Sequence, residues 1–175
     1  MNLYKHLLAF DLSSYGAALA IINQFADDDA VKIFEISPCG TSAVLLLVAQ
    51  EINVLTLVKT EAESIFKSQI LSSAIIENIH SDLLPTYLSQ NKTPLKKSLV
   101  ILEGNFVALG LSLSDRALKE NHSVVDFRIV RTGPKNVIIT IGAEKLDDLV
   151  NLNLIGFKKT TIENIQPSLK SFYEI

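Results

Sequence analysis

Cys39 is the residue of this chain with the most distinctive chemistry. It is the only cysteine, and it lies in Pro38-Cys39-Gly40-Thr41, a turn by composition. A single thiol excludes an internal disulfide and fits a reducing cytoplasm. Taken alone, such a residue is either a small apolar packing group or a soft metal ligand. Asp27-Asp28-Asp29 is a candidate for a divalent cation, or a solvated helix end. His6, His80 and His122 are scattered, without metal-ligand spacing, and fit structural hydrogen bonding better. No G-x-S-x-G, Walker A or G-x-G-x-x-G motif occurs. Gly104 and Gly110 lack the Lys-Ser/Thr of a P-loop. No acid–base pair follows from spacing, so the expectation is that the chain is not an enzyme.

Composition narrows the classes further. The chain has 175 residues, 48% hydrophobic and 20% charged, a globular balance. The mean hydropathy of +0.31 is high for a soluble monomer. The apolar run Ala43–Ala49 is far short of the about 20 residues a bilayer requires. The excess therefore points to a filled core plus buried subunit interfaces. A net charge of −3 and no basic tract leave nucleic-acid binding without electrostatic support. Met1–Tyr15 lacks the features of a signal peptide.

The elements that must position these residues occur twice. Ile76-Glu77-Asn78-Ile79 is repeated as Ile162-Glu163-Asn164-Ile165, an offset of 86 (76 to 162). Leu7–Asp11 matches Leu99–Glu103 at offset 92, and Val44–Val48 matches Val137–Ile141 at offset 93. In the first copy, strands are expected at Leu7–Leu12, Val31–Ser37, Ala43–Gln50 and Ser73–Ile79. Helices are expected at Tyr15–Ala26 and Ile52–Lys67, with a short helix or turn ending near Pro85. In the second copy, strands are expected at Ser98–Glu103, Val124–Arg131, Asn136–Gly142 and Lys158–Ile165. Helices are expected at Phe106–Glu120 and Lys145–Asn153, the latter closed by Gly156. The fold class is α+β: two tandem ferredoxin-like βαββαβ domains, 1–90 and 91–175, joined through Leu88–Lys97. Sheets of this kind must cover an exposed face or edge, and oligomerisation is the usual means.

The two halves together resemble bacterial microcompartment (BMC) shell domains. Their order is similar to the tandem-domain, trimeric class that includes shell proteins of propanediol-utilisation compartments. Ile75–Pro85 resembles the end of a first repeat, and Ser114–Lys119 resembles the edge-helix signature. Val125–Gly133 and Val137–Gly142 resemble the following hairpin. The resemblance implies a homotrimeric, pseudohexameric tile that meets other shell proteins in the cytoplasm, without nucleic-acid or membrane partners. It implies a central pore lined by Pro38, Cys39, Gly40 and Thr41, and by Thr132, Gly133 and Pro134, with Arg131 and Lys135 flanking the second turn. It places Lys119 at the tile edge, where the first repeat has Asp27 and no lysine. It also implies an iron–sulfur cluster on the three-fold axis, held by Cys39 from each copy, since thiolates are the standard ligands. The competing reading is an ACT-like regulatory protein that binds a small molecule. Such domains carry a glycine-rich loop after the first strand, whereas Asp11–Tyr15 has no glycine. A ferredoxin-like enzyme is the third reading.

Overall fold

The structure, a computed structural model, describes residues 4–26, 29–90, 95–129, 136–144 and 155–169. The described residues divide into two compact units. One holds residues up to Ile79 together with Phe106–Ser112, and the other holds the remainder.

The first unit is built on β1 (His6–Leu12), α1 (Tyr15–Phe25), β2 (Lys32–Cys39), β3 (Ser42–Ala49), α2 (Ile52–Ile65) and β4 (Ile70–Ile76). The strands form one antiparallel sheet in the order β2-β3-β1-β4. Alternation along the strands turns Leu8, Phe10, Leu12, Leu45 and Leu47 to one face. Ala17, Ala18 and Ile21 of α1 and Leu55, Val58 and Ala62 of α2 pack there, in one apolar core. Helix α1 starts at Ser14, whose hydroxyl accepts from the Ala17 N–H at 3.1 Å, the usual N-cap arrangement. Central strands buried on both faces read as continuous apolar runs. Strand β1 fits that description except for His6 at its start and Asp11.

The second unit repeats the plan. It contains α3 (Leu83–Tyr87), β5 (Ser98–Gly104), β6 (Ser123–Ile129), β7 (Val137–Ala143) and β8 (Phe157–Ile162), and α4 (Val107–Lys119) runs from the first unit into it. The strand order is β6-β7-β5-β8, again antiparallel. The duplication extends to irregularities. A bulge falls between Ile33 and Glu35 in β2 and between Val124 and Asp126 in β6. The Ile-Glu-Asn-Ile repeat has a backbone reason: Asn78 and Asn164 both have positive φ, 46° and 52°, and Asn is among the few residues that adopt it readily. The following Ile79 N–H donates to the Lys5 carbonyl, and the Ile165 N–H to that of Lys97.

Strand register shifts one expected alignment. His6 pairs with Ala49, and its counterpart Ser98 pairs with Ala143. Val44 therefore corresponds to Ile138, not Val137, an offset of 94. The one-residue difference matters, because it exchanges the two faces of a strand. It arises in the hairpins: four residues lie between paired Pro38 and Ala43, and seven between the corresponding Ile129 and Val137. Pro85 also differs from expectation. It sits in the first turn of α3, where its missing N–H costs nothing, rather than ending the helix. The helix expected at Lys145–Asn153 lies outside the described residues, while Gly156 has the positive φ of 88° suited to a helix end.

We expect Asn78→Gly to leave stability nearly unchanged and Asn78→Val to lower it by about 1–2 kcal/mol, the cost of left-handed backbone for a side chain with a Cβ. Urea unfolding of the two variants tests this, and equal midpoints would remove the backbone explanation of the motif.

Candidate functional site

The first repeat's turn residues, expected to line a pore, are placed by the β2–β3 hairpin. Pro38 is on β2, an edge strand, where a residue without an N–H is tolerated. Cys39 closes β2 opposite Ser42, with Gly40 and Thr41 as the two-residue turn. Gly40 takes a φ of 62°, which such tight hairpins require at a central position. The Ser42 hydroxyl donates to the Cys39 carbonyl at 2.6 Å and fixes the turn. Gly40 and Thr41 are exposed, and Cys39 is buried. Thr132, Gly133 and Pro134, with Arg131 and Lys135, lie outside the described residues, as does Asp27.

The other candidates are engaged in local structure. The Lys119 ammonium meets Asp115 at 2.5 Å, one turn earlier in α4. Asp29 binds Lys32 at 2.7 Å in an exposed pair, and Asp28 is outside the described residues. His6 Nδ1 accepts from the Asn78 N–H, and His80 Nδ1 from the Asp82 N–H, both at 3.2 Å. Among the described residues, no three His, Cys, Asp or Glu side chains come together in a metal-binding group. One copy of the chain thus offers Cys39 alone as a thiolate, and a cluster would need the same residue from further copies.

The residue with the most unusual environment was not among the sequence candidates. Asp11 lies on the face of β1 opposite the α1/α2 core, 5% exposed. Its two carboxylate oxygens accept the N–H groups of Val107 and Ala108, each at 2.9 Å. These are the first two amides of α4, which have no partners within the helix. The carboxylate also faces the positive end of the helix dipole. Burial nevertheless dominates and pushes the Asp11 carboxyl up to about 6, against the lowering pull of the Ala108 and Val107 amides. The sequence signal was present: one acid inside an apolar strand, with Glu103 in the matching place of the second copy.

The chain shares its fold with a microcompartments protein from Desulfitobacterium hafniense DCB. The TM-score is 0.75 at 17% identity, over 96% of this chain and 99% of that one. A glycine cleavage system transcriptional repressor structure and a chlorite dismutase structure, TA0507, reach TM-scores of 0.33 and 0.34 at 12% and 9% identity. They cover 93% and 92% of this chain and 100% and 92% of their own, and no argument rests on them. No protein-family model matches the sequence, and no curated protein does. Among the described residues, no helix is long and apolar enough to cross a membrane.

Asp11 generates a pH prediction. The folded carboxyl keeps its proton up to about pH 6, and the unfolded one up to 3.8. Folding therefore favours the protonated form. Its contribution is complete below pH 3.8 and is lost as pH rises through about 6, a decline of about 3 kcal/mol by pH 7. Asp11→Asn should remove that decline while other titrations remain. Unfolding free energies across this range test it, and parallel wild-type and variant curves would contradict it.

Proposed function

We propose that the chain is a structural subunit of a bacterial microcompartment shell, a homotrimeric tile with a central pore. The observation that carries this reading is the full-length fold likeness to a microcompartments protein. The duplicated four-stranded sheets support it. In this reading the Pro38–Thr41 turn and residues 132–134 line the pore, and metabolites pass between them. Lys119 and the Asp27 region lie along the tile edge, where neighbouring shell proteins meet. The protein works in the cytoplasm as an enclosing wall and not as a catalyst.

Cys39 contributes one thiolate per copy at the pore turn. Three copies supply three, which suits an iron–sulfur cluster with its remaining iron held by another ligand. Such a group would add one-electron transfer across the shell.

Light scattering should give a mass of three times 19.2 kDa. A dimer or tetramer would favour the regulatory small-molecule binder instead. Protein prepared without oxygen should contain iron, and Cys39→Ser should abolish the iron while retaining the trimer, because the residue sits beside a turn. Iron-free wild-type protein from that preparation would refute the cluster.

A further inference from the structure

Among the described residues, each four-stranded sheet ends in two edge strands, β2 and β4 in one and β6 and β8 in the other. An edge strand leaves a row of main-chain N–H and C=O groups unpaired, and proteins blunt such rows with charge, proline or a bulge. Three of these edges carry such devices. Strand β2 has Lys32, Glu35, Pro38 and a bulge after Ile33. Strand β6 has a bulge after Val124 and the Asp126–Arg128 ion pair. Strand β8 presents the exposed Lys158 and Lys159. Strand β4 differs. Beyond an irregularity at Leu71, its run Ser72-Ser73-Ala74-Ile75-Ile76 has no charge, no proline and no bulge. These residues pair with β1 on one side and, among the described residues, with no strand on the other.

A groove runs beside that edge. It encloses about 670 Å³ between the last turns of α2 and the first half of β4, a volume typical of ligand sites. Its helix wall includes Glu63 and Lys67, and its strand wall is residues 70–73. Lys67 stands beside the start of β4. Glu63 stands beside Ser73, whose hydroxyl donates to it at 2.5 Å. Glu63 and Lys67 have the i,i+4 spacing of a helical ion pair but do not form one. Glu63 meets Lys59 instead, at 2.7 Å. Burial raises the Glu63 carboxyl, but the Lys59 and Ser73 contacts outweigh it and hold the group below the usual carboxylate range. Lys67 has no hydrogen-bond or ionic partner among the described residues. The groove therefore has a fixed anion partway along the strand and an available cation at its start. Leu71, between them, is 50% exposed.

We propose that this groove binds the extended C-terminal segment of a partner protein, which adds to the sheet antiparallel to β4 with its terminal carboxylate on Lys67. The direction follows from charge. In an antiparallel addition the incoming chain ends where β4 begins, and the available ammonium stands there. Main-chain pairing with the Ser72–Ile76 edge supplies affinity, and alternate side chains supply selection. Side chains alternate between faces, so the residue two before the carboxylate lies on the α2 side, near Ser73 and Glu63, and carries a hydroxyl or amine donor. An apolar last residue covers Leu71. One copy of the chain is enough for this contact, which is independent of the shell reading.

The probe is the fluorescein-labelled peptide Gln-Val-Thr-Ala-Val with a free carboxylate, titrated into the whole chain and followed by anisotropy. Saturable binding is expected. Losing one charge-assisted contact should weaken it by about tenfold or more. The C-terminal amide of the peptide and the Lys67→Met variant should each show that loss. Combining them should cost little more than either alone, because both remove the same contact. Lys67 is exposed, and the circular dichroism of the variant should match wild type. Hydrogen exchange of the complex should slow in β4 and stay unchanged in β8. Equal binding of acid and amide, binding that Lys67→Met leaves unaltered, protection elsewhere than β4, or no saturable binding would each overturn the inference. None of these outcomes alters the wild-type mass by light scattering, which decides the shell reading separately.

Discussion

The carboxylate of Asp11 on the first turn of α4 is the interaction on which the arrangement turns. It places an acid in the middle of an apolar strand, where desolvation works against its charge. Two backbone amides and a helix dipole partly offset that cost. Replacing one partner would strand the other, so the pair specifies position more than it adds stability. It also explains why β1 can be buried on both faces. One face packs on α1 and α2, and the other carries an acid only because α4 presents amides to it.

Duplication makes that arrangement consequential. A βαββαβ unit has one sheet face covered by its own helices and one that needs covering. In the first repeat both faces are buried, while in the second the counterparts of Ala9, Asp11 and Val44 are partly open. A tandem chain can satisfy such a contact once internally. In the proposed tile, three chains place six such units around the ring. In that proposal the pore and any shared Cys39 thiolates depend on the closure of the ring.

Much of the plan was legible in the sequence. The described strands and helices were readable from apolar periodicity, and the Ile-Glu-Asn-Ile repeat marked a point where the backbone needs Asn. The β3/β7 alignment was one residue out, because Val44–Val48 contains no polar residue that distinguishes its two faces and Val137–Ile141 contains only the buried Thr140. Only hydrogen-bond register separates such runs. Pro85 suggested a stop and instead serves in a first helical turn, a position that composition does not distinguish. Lys119 drew attention as an edge residue, yet Asp115 four residues earlier already marked it as one half of a helical pair. Asp11 was visible as an interruption, but its role depends on α4, almost a hundred residues away. Long-range partners of that kind leave no local pattern.

The central proposal is that three copies of the chain close into a shell tile. Electron microscopy of the purified protein, averaged into particle classes, tests this most directly. The account predicts closed rings of three copies in which each chain contributes two similar lobes, six in all. Two-fold dimers, or isolated two-lobed particles at concentrations where the protein is otherwise intact, would contradict it.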